Sequence, residues 1–323
     1  MIAFLRLIRP VNLLIIAFTM VAMRYGVIDT LIKPFDFELQ FPLWKFVLLV
    51  FSVVCIAAAG NVINDYFDAR IDSINKPESV IVGFGVPRRV AMVAHFIMSM
   101  MGIAIGAYLS WSIGKISLVG IHLFASATLW YYSTVFKRQL MLGNFVVALL
   151  AGLVPLTVSL FELPLLSMSY SATLITKFAN SGIDPALYFR IIFFWVIGFS
   201  VFAFLLNLLR EIVKDMADVK GDKEMGRETF PIILGYTYTN IILSTLSAIT
   251  LGLLIWVYFS FINHSMSLAY FVGFYALPLL AANVLCWVAK DRKIYIWAGN
   301  LIKLVMLAGI SYSFLIGKML AES

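Results

Sequence analysis

The chain has 323 residues, 62% of them apolar and 13% charged, with a mean hydropathy of +0.98. That is too hydrophobic for a water-soluble domain of this length, and the absence of strand-like alternation excludes a barrel. The net charge of +7 calls for no nucleic-acid partner, because positive-inside placement against an anionic leaflet accounts for it.

Apolar runs long enough to cross ~30 Å of hydrocarbon fall at about 11–28, 43–64, 90–109, 115–135, 143–161, 189–211, 232–260, 267–289 and 295–317. Nine spans predict an all-α, multi-pass integral membrane protein of the cell inner (cytoplasmic) membrane, with 1–323 forming a single domain. Pro10 and Pro42 stand where helices would start. The first run follows Arg6 and Arg9 as a signal peptide would, but it has no small-residue cleavage site and reads as retained. With the N-terminus inside, sixteen of the 24 Lys and Arg fall on the cytoplasmic face and seven on the other, with Lys303 inside the last span. The connections at 65–89 and 212–231 then face the cytoplasm, and those at 29–42 and 162–188 face away from it. Cys55 and Cys286 sit in apolar runs, which supports neither a disulfide nor a zinc site. His95, His122 and His264 are scattered.

Both cytoplasmic connections carry one pattern, x-D-x-x-D-x-x-x-D: Asn64-Asp65-Tyr66-Phe67-Asp68-Ala69-Arg70-Ile71-Asp72, and Lys214-Asp215-Met216-Ala217-Asp218-Val219-Lys220-Gly221-Asp222. The chain has only 17 acidic residues, and six of them sit in these two sets. If the helices continue through the motifs, Asn61, Asp65, Asp68 and Asp72 fall on one stripe, and Glu211, Asp215, Asp218 and Asp222 repeat it. Carboxylate and amide oxygens are hard ligands suited to Mg²⁺. A cluster of carboxylates repels phosphate by itself, but with two or more Mg²⁺ ions it becomes a clamp for a diphosphate. Both motifs follow spans of the same direction, so the chain divides into parallel motif-bearing halves of about 1–140 and 141–323.

These residues resemble the UbiA superfamily of intramembrane prenyltransferases, over essentially the whole chain. The resemblance is carried by Arg9-Pro10-Val11-Asn12, by Gly60-Asn61-Val62-Ile63-Asn64-Asp65 through Asp72, by Asn75-Lys76-Pro77 and by the motif ending at Asp222. Tyr131-Tyr132-Ser133, Lys137-Arg138 and Gly143-Asn144 add to it. It implies nine helices bundled around a central cavity that opens to lipid, under a cytoplasmic polar cap. Asn64, Asp68, Asp72, Asp218 and Asp222 would hold Mg²⁺ and the diphosphate of a polyprenyl donor. Lys76, Arg88, Arg89, Lys137, Arg210 and Lys214, with Asn12 and Asn61, would bind substrate. Arg210-Glu211-Ile212-Val213-Lys214-Asp215 and Thr229-Phe230-Pro231-Ile232 look most like the archaeal-type branch that forms digeranylgeranylglyceryl phosphate. One stretch departs from the pattern: after Asn75-Lys76-Pro77-Glu78 an Arg-Pro-x-x-Ser-Gly-like segment is expected, and the chain instead reads Ser79-Val80-Ile81-Val82-Gly83-Phe84-Gly85.

The implied reaction is Mg²⁺-dependent transfer of a polyprenyl group, geranylgeranyl in that branch, to a membrane-associated acceptor by ionisation of the diphosphate. The acceptor is geranylgeranylglyceryl phosphate or, in the alternative, an aromatic acid of quinone biosynthesis. Asp65, Asp215 and Tyr132 are the candidate catalytic residues. A carboxylate would take the proton of a hydroxyl acceptor, and Tyr66, Tyr131 or Tyr132 either stabilise an allylic cation through their faces or anchor the membrane interface. Arg9 serves either the acceptor or the positive-inside bias. An ion or anion transporter is the competing class, and it predicts polar residues through mid-span.

Overall fold

The computed structural model describes residues 2–178 and 185–322. Ten helices of seven or more residues build it, with a further single turn at Phe230–Ile233: α1 Ile2–Ile8, α2 Pro10–Phe35, α3 Leu43–Asn75, α4 Arg88–Ser112, α5 Val119–Thr134, α6 Leu142–Phe178, α7 Pro185–Glu224, α8 Gly235–Ile262, α9 Ser265–Val288 and α10 Arg292–Glu322. Eight of them, all but α1 and α5, are long and apolar enough to cross a membrane among the described residues. The protein is a multi-pass, all-helical membrane protein. α5, at the expected fourth span, has 16 residues, about 24 Å of helix, short of the ~30 Å of hydrocarbon.

Helix starts follow local chemistry. Pro10 opens α2, where its missing N–H costs nothing, and Arg9 before it takes the left-handed conformation, φ 55°, which turns the chain between α1 and α2. Pro42 stands just outside α3 as its N-cap, with extended backbone, ψ 141°. The helix ends depart from expectation. α3 runs through Asp72 to Asn75 and α7 through Asp222 to Glu224, so both aspartate segments are helical and the connections proper are much shorter than 65–89 and 212–231. Residues 162–178, expected in a connection, extend α6, and 179–184 of that connection lie outside the described residues.

The two larger clusters of buried side chains divide by helices. Leu209, Val213, Leu279, Ala298 and Ile302 knit α7 to α9 and α10. Met23, Leu49, Phe161, Leu166 and Ile192 join α2, α3, α6 and the first half of α7, with Phe41 from the α2–α3 connection. This second core holds a buried ion pair, Arg24 to Glu162 at 3.4 Å, both side chains at most 3% exposed. Glu162 also accepts the backbone N–H groups of Gln40 and Phe41 at 2.7 and 2.8 Å, and Arg24 donates to the Phe41 carbonyl. The pair therefore clamps the α2–α3 connection onto α6. Hydropathy gave no sign of it.

Three stretches have π-helical turns: Ala22–Ile28 in α2, Tyr258–Ile262 ending α8, and Phe271–Ala276 in α9. An extra residue per turn widens the helix and often marks a site. Each of the three supplies wall residues to the same internal cavity: Met23, Ile262, and Phe271 with Tyr275.

Candidate active site

The ends of α3 and α7 lie against each other and are tied together. Asn75 donates from Nδ2 to the Asp218 carbonyl at 3.0 Å, and its Oδ1 accepts the Gly221 N–H at 2.8 Å. A Cβ on Gly221 would lie 2.6–2.8 Å from the Asn75 amide, so only glycine admits this crossing. The two motifs are thereby held in register.

Cations from the rest of the chain neutralise the aspartates. Asp68, 6% exposed, accepts from Lys137 and Arg227 and from Asn64 Nδ2 at 3.1 Å. Arg227 also reaches Asp222 at 3.1 Å, so one guanidinium bridges both motifs. Lys137 donates to Asn64 Oδ1 at 2.5 Å. Asp72 pairs with Lys76 at 3.3 Å and Asp218 with Arg292 at 3.1 Å, while Asp215 accepts from Asn144 Nδ2 at 2.7 Å. Burial, with Arg227, Lys214 and Arg9 close by, pushes the Lys137 ammonium well below the ordinary lysine range, and Asp65 pulls it back up. Breaking such buried pairs one-sidedly is strongly unfavourable, because the partner left behind stays desolvated.

Two cavities meet at this point. The polar one, about 30 Å³, is lined by Asn64, Asp68, Asp72, Asp215, Asp218 and Asp222 with Asn75, Lys76, Lys137, Asn144 and Arg227. The other, about 390 Å³, is walled chiefly by apolar side chains and runs down the bundle. Its wall on α7 extends from Lys214 to Trp195, about 28 Å of helix. Arg9, Asn64, Tyr132 and Lys214 line both cavities, and they mark the place where a polar head and an apolar tail of one ligand would join.

The expected site residues divide around this junction. Asn64, Asp68, Asp72, Lys76, Tyr132, Lys137, Lys214, Asp215, Asp218 and Asp222 line the polar pocket, and Asn12, Asn61 and Arg210 line the apolar cavity. Three others are placed elsewhere. Asp65 lines neither cavity and instead holds Arg9 at 2.5 Å. Arg88 stacks on Tyr66, 4.5 Å from the ring centroid, and Arg89 is exposed at the start of α4. The two arginines follow a loop that ends away from the pocket. Of the three tyrosines only Tyr132 reaches the junction, with the Lys137 ammonium 5.6 Å from its ring centroid, while Tyr131 is 54% exposed. Sequence reasoning missed Arg227, Asn75 as a tie, Asn144 and Arg292. Of these, Asn75 and Asn144 stand in tracts that the motif comparison had marked, whereas Arg227 and Arg292 looked like ordinary interfacial charges.

The residues of the polar pocket fit a hard divalent cation by donor type, with carboxylate and amide oxygens converging from two helices. Among the described residues, however, no three or more His, Cys, Asp or Glu are drawn together as a metal-holding group, because Lys137, Arg227, Lys76 and Arg292 each engage a carboxylate. Asn64, Asp68, Asp72, Asp218 and Asp222 are the residues that would hold such an ion.

A model of the UbiA prenyltransferase family matches residues 35–305. Digeranylgeranylglyceryl phosphate synthase of Thermococcus gammatolerans is 34% identical over 195 residues, 60% of this chain and 59% of that protein. The enzyme of the same name from Methanothermobacter thermautotrophicus is 31% identical over 242 residues, 74% of this chain and 69% of the relative. The match to the Thermococcus protein thus spans well under two thirds of its length. Among solved structures, one concerned with digeranylgeranylglyceryl phosphate synthase in membranes superposes with a TM-score of 0.60 at 22% identity, covering 97% of this chain and 98% of the other. A UbiA homolog from Archaeoglobus fulgidus bound to DMAPP and Mg²⁺ gives 0.58 at 17% identity, covering 97% and 99%. At these identities the structures speak for the fold.

Proposed function

This chain belongs to the UbiA prenyltransferase family, and from that premise we propose that it transfers a geranylgeranyl group from its diphosphate to geranylgeranylglyceryl phosphate in a Mg²⁺-dependent reaction. The observation that carries the reading is the junction: an aspartate-lined pocket and a long apolar cavity share Arg9, Asn64, Tyr132 and Lys214. Such a site suits an allylic diphosphate, whose head and tail need opposite surroundings. Transport is less well served, because the long cavity is walled chiefly by apolar side chains.

The donor's diphosphate lies in the polar pocket, where Lys137, Arg227, Lys214 and Lys76 contact its oxygens, and its tail runs down the apolar cavity. Mg²⁺, when bound by Asn64, Asp68, Asp72, Asp218 and Asp222, supplies charge neutralisation to the departing diphosphate. The C1–O bond breaks with its electron pair leaving on the diphosphate. The Tyr132 face stabilises the allylic cation, and the apolar walls keep water from it. An acceptor hydroxyl oxygen then forms the new C–O bond, and its proton passes to an oxygen of Asp215, the motif carboxylate held by a neutral amide rather than by a cation. Asp65 acts by holding Arg9.

We place the aspartate-bearing face in the cytoplasm, on the lysine and arginine asymmetry. α5 with the turn at 116–118 serves as a ninth span, and 1–323 forms one domain with motif-bearing halves of about 1–140 and 141–323. The test is an acceptor panel with geranylgeranyl diphosphate and Mg²⁺, read by product mass. Geranylgeranylglyceryl phosphate should yield the doubly prenylated ether. Product from 4-hydroxybenzoate alone would move the chain to the aromatic branch, and ion flux in liposomes without diphosphate release would refute an enzyme.

A further inference from the structure

The apolar cavity contains cations at Lys303, Arg210 and Arg9 that the donor's diphosphate does not use. Lys303 sits inside the α10 span, 11 residues from Arg292, and lines this cavity, about 16 Å of helix from the aspartate face. A lysine at such depth is expensive and marks a ligand path more often than a packing position. Among the described residues no carboxylate pairs with it, and its electrostatic neighbours are Arg210, Arg9, Glu211 and Lys214. Arg210 and Lys214 share a single carboxylate, Glu211, at 2.8 and 3.1 Å, and Arg9 has Asp65 at 2.5 Å. Lys303 therefore adds an ammonium with no carboxylate of its own to cations that already share Glu211 or hold Asp65. Asn12 and Asn61 line the same wall.

We propose that Lys303, Arg210 and Arg9 form a phosphomonoester subsite for the acceptor, on the apolar side of the junction and apart from the diphosphate pocket. The inference rests on the acceptor reading above and assigns the residues that enforce it. The unpaired Lys303 ammonium beside the Arg210 and Arg9 guanidiniums suits a phosphate monoester, about −1.5 to −2 at neutral pH. Its position within an apolar cavity selects a phosphate carried on a lipid. Lys214, on the boundary, keeps the two anions from sharing one pocket. Specificity here comes from buried charges that an acceptor without phosphate leaves unpaired.

The test compares two acceptors within each enzyme, geranylgeranylglyceryl phosphate and geranylgeranylglycerol, so that the ratio of their kcat/KM values does not depend on how much protein is folded. The wild type should prefer the phosphate by at least about tenfold, equal to about 1.4 kcal/mol. Lys303→Met should abolish that preference by raising KM for the phosphate lipid, with KM for geranylgeranyl diphosphate held, and Lys303→Arg should restore it. Arg210→Gln gives a second reading should Lys303→Met fail to fold. An unchanged ratio in both variants overturns the subsite, as does a rise in the donor's KM matching that of the acceptor. Inorganic phosphate that restores turnover of geranylgeranylglycerol would overturn the assignment to a lipid-borne phosphate. A wild type that prenylates neither lipid removes the acceptor reading itself, and this site with it.

Discussion

Asp68→Asn tests the site most directly, since it keeps the volume and removes the charge. Asp68 takes charge-assisted bonds from Lys137 and Arg227 and is buried. Lys137 and Arg227 bond different oxygens of Asp68, and an asparagine keeps one acceptor oxygen, so one buried cation loses this partner. Because Lys137 retains Asn64 and Arg227 retains Asp222, stability should fall by about 3 kcal/mol, the low end for a broken buried pair. The effect on transfer is separate. Losing a carboxylate that neutralises the leaving group through the metal should cost at least about 100-fold in rate, about 2.7 kcal/mol, and raise the Mg²⁺ concentration for half-maximal rate about tenfold or more. Purified enzyme is assayed for geranylgeranyl transfer across a Mg²⁺ titration, with thermal unfolding in detergent alongside. Near-wild-type transfer with an unchanged Mg²⁺ midpoint refutes the metal role, and loss of stability alone leaves Asp68 a structural counter-ion.

Gly221→Ala places a methyl group against the Asn75 amide and breaks the two bonds that tie α3 to α7; at about 0.5–1.5 kcal/mol each, stability should fall by about 1–3 kcal/mol in thermal unfolding, and transfer should fall with it. Ala203→Phe narrows the cavity wall 11 residues below Lys214, about 16 Å along the helix, so competition between geranyl and geranylgeranyl diphosphates should swing toward the shorter donor, and an unchanged ratio argues against this route for the tail. Glu162→Ala leaves the Arg24 charge buried without a counter-ion, held by the Phe41 carbonyl and the Phe46 ring, and should cost about 3–5 kcal/mol, seen as a lower Tm with the donor's KM unaltered.

Much of the site was legible because its chemistry is local in the chain. Repeated aspartates at helical spacing announce themselves, and Tyr132 and Lys137 stand in a compact tract beside Gly143 and Asn144. Long-range pairing was not legible. Hydropathy ends a helix where charges begin, so spans two and six were cut short of Asn75 and Glu224. In the structure the charged stripes stay helical because cations from distant segments neutralise them. In sequence Arg227 is one more interfacial cation, and only the fold shows that it bridges Asp68 and Asp222. The same holds for Arg24 and Glu162, which are remote in sequence and meet inside the bundle. The π-turns leave no trace in composition at all, although they shape the deep end of the cavity.

If the pocket takes the proposed metal and diphosphate, the bridges from Lys137 to Asp68 and from Arg227 to Asp68 and Asp222 bear on how the two ligands affect one another. A divalent cation binding by itself must displace positive charges from these carboxylates, and a diphosphate binding by itself must draw those same cations away from them. Bound together, each releases what the other requires: the metal frees lysine and arginine for phosphate oxygens, and the phosphate removes the cations that compete with the metal. Thermodynamic linkage then obliges donor and magnesium to raise one another's affinity by a common factor. Such an enzyme responds to the joint supply of both ligands and holds neither one firmly when the other is scarce.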